Sequence, residues 1–110
     1  VAYLMGGDAV QISHAAALAL KNLLGLACDP VAGLVEVPCV KRNVMGAVNA
    51  MTSSDMVMAG ITSKIPPDEV IDAMRAIGRS MSEDIRETGK GGLAGTPTGV
   101  AIRERMAGTL

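Results

Sequence analysis

The sequence predicts an all-α fold: a bundle of Ala-, Met- and Leu-rich helices with a cysteine-bearing Pro/Gly loop between two of them. Two observations carry this expectation. Hydrophobic residues make up 49% of the 110 residues, yet there is one tyrosine, no phenylalanine and no tryptophan, against eight methionines. Strands normally draw on aromatic side chains, whereas small and flexible residues let helices approach closely and fill irregular gaps. The second observation is apolar spacing at helical period, with start and stop signals at the ends of the periodic runs.

The elements follow in order. Val1 to Met5 reads as the tail of an apolar helix that began earlier, and Gly6-Gly7 ends it. With no initiator methionine, this predicts a fragment of a longer chain or a processed one. Asp8 then caps a helix running to about Leu24, stopped by Gly25. In it Gln11, His14, Lys21 and Asn22 share one narrow arc, so the spacing predicts a helix buried on most sides. Residues 26–38 form a connector broken by Pro30, Gly33 and Pro38, with room for a short strand at Leu34–Val37. Cys28 opens this connector and Cys39 closes it.

A second helix is expected from Val40 to Ala59, with Val44, Val48 and Met51 inward and Gly46, Ala47 and Ala50 permitting close neighbours. Pro66-Pro67-Asp68-Glu69 starts a third, because proline suits the first turn and acids suit the positive end of the helix dipole. Val70, Met74, Ile77 and Met81 repeat along its inner face. A glycine-rich stretch, Gly89 to Gly99, and a short amphipathic tail, Val100 to Met106, complete the chain.

Composition excludes several functions. The net charge is −1 and no basic stripe exists, so neither nucleic acid nor an anionic membrane has a footprint. Apolar runs stop short of the ~20 residues a membrane span needs. No secretory signal is present, and two cysteines without one point to a reducing, cytoplasmic setting in which a disulfide is disfavoured. Gly89-Lys90 lacks the Ser or Thr of a phosphate loop, so an ordered turn or a lid over the site is the better reading. Lys21, Lys41, Lys64 and Lys90 are the only lysines, and none stands in the context of a pyridoxal Schiff base.

The cysteines carry the chemistry. A loop punctuated by Pro and Gly can bring its ends together and point both sulfurs into one pocket. Thiolates suit zinc and iron–sulfur clusters. For zinc only His14 offers a third ligand, and a cubane wants three or four thiolates. Either metal therefore needs ligands from outside these residues. The remaining alternative is two buried thiols acting as small hydrophobes. Asp29 and Glu36, between the cysteines, are either acceptors near the metal or solvent-facing acids. Arg42 and Asn43, one turn past Cys39, face either a cluster or substrate carboxylate, or solvent.

The stretch Gly-Leu-Ala-Cys28-Asp-Pro-Val-Ala-Gly-Leu-Val-Glu-Val-Pro-Cys39-Val-Lys-Arg-Asn resembles the cluster-binding segment of the iron–sulfur L-serine dehydratases. Ile-Pro-Pro-Asp-Glu-Val-Ile-Asp-Ala-Met and Arg-Glu-Thr-Gly-Lys-Gly-Gly-Leu-Ala resemble that family's next helix and glycine-rich segment, in the same order. The resemblance runs from about Gly6 to Gly99. It implies an all-helical catalytic domain, of which residues 1–110 form the C-terminal part, that binds a [4Fe–4S] cluster and converts L-serine to pyruvate and ammonia. Cys28 and Cys39 match two of the family's cluster cysteines, and a third lies upstream of Val1. The chain ends Gly108-Thr109-Leu110, without the terminal cysteine of some single-chain members, and so looks like the alpha chain of the two-subunit form, with a beta chain as partner. Asn22 stands where many single-chain members have histidine, and receives no catalytic role. The general base is unassigned, and this segment alone is expected to be inactive. A competing reading is a non-catalytic helical interaction module with buried or zinc-bound cysteines.

Overall fold

The computed structural model describes residues 1–33 and 37–109. Among them are four helices: α1 (Ala9–Lys21), α2 (Val37–Met58), α3 (Pro67–Ser80) and α4 (Pro97–Ala107). Two 3-10 turns, Glu83–Ile85 and Gly92–Gly95, lie between α3 and α4. The all-α expectation holds: among the described residues, strand pairing is confined to isolated bridges. The chain is elongated, 55 × 27 × 19 Å. None of its helices is long and apolar enough to cross a membrane, among the described residues.

Asp8 caps α1 as the sequence predicts, and does so reciprocally. Its carboxylate accepts from the Gln11 N–H at 2.8 Å, and the Gln11 side chain accepts from the Asp8 N–H at 2.9 Å. The helix ends at Lys21, earlier than expected. Residues 22–25 form a turn, and Gly25 sits at φ +74°.

α1 packs against both α2 and α3. Ala2, Ala15 and Val57 form the small core, with Leu18 beside them. The polar arc of α1 has a role that periodicity did not predict: it is a contact face. His14 Nδ1 accepts from the Ser63 N–H at 3.2 Å, and Lys21 Nζ donates to Ser63 Oγ at 2.5 Å. Hydrogen bonds to the loop before α3 make these polar groups fit for an interior position. His14 is thus a satisfied helix residue, and among the described residues it joins no cluster of three metal-ligating side chains. Meanwhile Val10 is exposed, so α1 is not buried on most sides within this chain.

α2 corrects two expectations. It begins at Val37, which puts Cys39 in its first turn rather than at the end of a loop. Its inward face is also different. Val44, Val48 and Met51 are 61%, 56% and 57% exposed, whereas Ser53, Ser54 and Val57 are buried. The reason is steric and polar together. α1 approaches closely only over short side chains, and the hydroxyl of Ser54 returns its hydrogen bond to the Ala50 carbonyl at 2.8 Å. The strand considered at Leu34–Val37 falls partly outside the described residues, as does Glu36; Val37 itself is helical.

α3 starts as predicted, with Pro66 at the cap, Pro67 in the first turn and Asp68 and Glu69 following. Val70 is its most buried residue, at 2% exposure. α4 begins three residues before the expected tail, because Thr96 caps it: its Oγ1 accepts from the Gly99 N–H at 3.1 Å, with Pro97 in the first turn. α4 packs on the 3-10 turn at Gly92–Gly95. Cys28 and Asp29 of the cysteine connector bond to the segment between α3 and α4, at Ile85, Glu87 and Leu93.

Candidate functional site

After Gly25 the chain extends, and Cys28 pairs with the segment beyond α3. Its N–H donates to the Ile85 carbonyl at 3.0 Å, and its carbonyl accepts from the Glu87 N–H at 2.5 Å, forming a parallel bridge opposite Arg86. Main-chain bonds therefore fix Cys28 and leave its sulfur uncommitted. The next residue extends the contact: the Asp29 carboxylate accepts from the Leu93 N–H, at the start of the second 3-10 turn. This settles Asp29 as an anchor of the glycine-rich segment rather than a solvent-facing acid.

That segment fits only because it lacks side chains where the connector lies. Gly92, at φ +56°, lies directly against the Asp29 carboxylate. At Gly89, φ +67°, a Cβ would stand 3.1 Å from the Pro30 carbonyl. The glycines thus pack closely against Asp29 and Pro30, as an ordered turn beside the cysteine connector. Glu87 adds a feature with no signal in the sequence: a non-glycine residue at φ +64°, an uncommon left-handed conformation, held by its bond to Cys28.

Arg42 ties α2 to the connector, its guanidinium donating to the carbonyl of Ala27, the residue before Cys28. Asn43 reaches back to the Cys39 carbonyl at 3.5 Å, a long intrahelical bond. Both candidates thus brace the backbone around a cysteine, and Arg42 does so across elements. Cys28 and Cys39 are free thiols, each partly exposed. Burial pushes the Cys28 thiol up, and the negative charges of Glu87, Cys39 and Asp29 push it further; Arg42 opposes them. A raised thiol stays protonated further into alkaline pH. In metal-free protein, alkylation of Cys28 is therefore slower folded than in urea at mildly alkaline pH, with the gap closing as pH rises through the raised value. Peptide mapping after timed iodoacetamide labelling checks this; a gap independent of pH would count against it.

Beside Arg42 lies a cleft of about 280 Å³, lined by Asn22, Leu23, Leu26, Arg42, Met45 and Asn49. Asn49 organises it. Its Nδ2 donates to the Ala19 carbonyl at 2.8 Å, and its Oδ1 accepts from Asn22 Nδ2 at 2.7 Å. The sequence reading passed over Asn49. The signal was its position seven residues, two helical turns, after Arg42, on the same face. Among the described residues no three of His, Cys, Asp and Glu cluster as a metal site.

A model of the serine dehydratase alpha chain matches residues 1–94. The chain belongs to the serine dehydratase alpha-chain family. It is 63% identical over 103 residues to a probable L-serine dehydratase alpha chain of Latilactobacillus sakei, covering 94% of this chain and 49% of that one. A probable L-serine dehydratase alpha chain of Bacillus subtilis is also 63% identical over 103 residues, with 94% of this chain and 34% of the relative covered. The L-serine dehydratase alpha chain of Peptoniphilus asaccharolyticus is 52% identical over 100 residues, or 91% of this chain and 34% of that protein. This chain thus spans half or less of the length of these serine dehydratase relatives. No solved structure matches it.

Proposed function

We propose that this chain is the cysteine-bearing part of an L-serine dehydratase that converts L-serine to pyruvate and ammonia, with Cys28 and Cys39 as ligands of a [4Fe–4S] cluster. The single observation that carries the reading is the pair of reduced, partly exposed thiols, one braced by the Ile85–Glu87 main chain and by Arg42 on Ala27, the other in the first turn of α2. It is supported by membership of the family and by the names of the relatives.

The donor chemistry fits the cluster. Two free thiols, soft donors once deprotonated, suit iron–sulfur ligation. The rest of the set comes from beyond these residues. When bound, a cluster with one iron not ligated by protein supplies a Lewis acid for the departing hydroxyl of serine. This chain's residues hold the arrangement still: Asp29 pins the Gly92–Gly95 turn over the connector, and Arg42 locks the backbone before Cys28. Loss of the α-proton and the β-hydroxyl gives aminoacrylate, which tautomerises and hydrolyses to pyruvate and ammonia. The relatives are named alpha chains, so a second chain is proposed as partner.

Partial exposure of both thiols argues against the competing reading of inert buried cysteines. The test is anaerobic reconstitution of the full-length protein with its partner, followed by iron, sulfide and pyruvate assays. A brown, oxygen-sensitive enzyme that turns over L-serine is expected. A colourless protein with stoichiometric zinc and no labile sulfide would overturn the proposal.

A further inference from the structure

We infer that the Asn22–Arg42–Asn49 cleft is the seat of the amino-acid substrate, taking the carboxylate on Arg42 and the ammonium on Asn22 Oδ1. This rests on the dehydratase reading and adds the recognition site to it.

Three observations converge. Arg42 spends one nitrogen on the Ala27 carbonyl and, among the described residues, has no carboxylate partner. A half-buried guanidinium with the rest of its five-donor fork unspent is matched to a planar carboxylate. Next, the two asparagines form a relay whose direction is set by its first bond. Asn49 Nδ2 is committed to the Ala19 carbonyl, so Asn49 presents Oδ1 to Asn22. Asn22 must answer with Nδ2, and its own Oδ1 takes no hydrogen bond among the described residues. The relay therefore ends in an acceptor, which welcomes an ammonium and not a carboxylate. Finally, Leu23, Leu26 and Met45 wall the cleft with apolar surface. At about 280 Å³ the space suits a small zwitterion. Arg42 bonds the residue before Cys28, so a substrate gripped there lies beside the proposed cluster ligand.

The experiment uses the reconstituted full-length enzyme and two variants. Asn22→Leu removes the acceptor at an exposed position where folding is little affected. Arg42→Lys keeps a charge and a donor for Ala27 but loses the fork. L-Alanine serves as a calorimetric probe, since it carries the same zwitterion and has no hydroxyl to eliminate. Expected is a rise of about tenfold or more in KM for L-serine and in Kd for L-alanine in both variants, with kcat less affected. Iron and sulfide contents stay at the parent value. Propionate, which lacks the ammonium, should be weakened by Arg42→Lys and not by Asn22→Leu. Unchanged KM and Kd in an active enzyme would overturn the site and leave the dehydratase reading intact. So would recognition that follows Lys90→Gln, in the separate cleft of Lys90 and Arg103. A KM rise in Arg42→Lys accompanied by iron loss would overturn Arg42's place as a substrate contact. Conversely, an enzyme that binds L-alanine through these residues and never turns over L-serine would refute the dehydratase reading and keep the site.

Discussion

Cys28→Ala and Cys39→Ala, each made in the full-length enzyme, are expected to lower serine turnover by more than about 100-fold, beyond the 10–100-fold typical of changes behind the ligands. Iron and sulfide should fall with activity. The structure makes this a clean experiment for Cys28. Its contacts to Ile85 and Glu87 run through the main chain, so alanine keeps the bridge and deletes only the sulfur. Cys39 is similar, since Asn43 holds its carbonyl and not its thiol. Circular dichroism and anaerobic melting should therefore show the apo variants folded like the apo parent. A variant that keeps full cluster content and full turnover would show that its thiol is no ligand.

The second large effect falls on folding. Gly92→Ala should cost about 2–4 kcal/mol, because left-handed backbone penalises a Cβ by about 1–2 kcal/mol and that Cβ would also collide with the Asp29 carboxylate. The two parts are separable. Asp29→Ala alone should cost about 1 kcal/mol by orphaning the Leu93 N–H. In that background the collision is gone, so Gly92→Ala should cost less than in the parent. Equal costs in both backgrounds, measured by urea unfolding of the full-length protein, would mean that Asp29 does not press on Gly92.

What the sequence disclosed, and what it hid, divides along physical lines. Local signals were legible. Asp8, Pro66-Pro67 and Gly25 mark helix ends through their own backbone preferences, and the structure agrees to within a few residues. The two cysteines and Arg42 were legible as candidates, and the structure sets Arg42 on the backbone beside Cys28. The faces of α2 were not, because hydrophobicity favoured Val44, Val48 and Met51 for the interior while close approach by α1 demanded serine and alanine. The same limit touched α1, read as buried on most sides, where Ser63 partners His14 and Lys21 while Val10 stays exposed. Asn49 and Glu87 were missed because their roles arise from contacts distant in sequence. Neither residue type announces a relay or a strained support on its own.

The Cys28–Arg86 bridge also has a consequence for the order of events at birth. Contacts between chain segments so far apart close late, after local helices have formed, since the intervening loop must first be organised. During synthesis the first thiol therefore stays unsupported until α3 and the residues beyond it have left the ribosome. If Cys28 holds iron as proposed, loading that needs its final setting waits for a nascent chain released past that point, and a stall within α3 would leave its backbone support unmade.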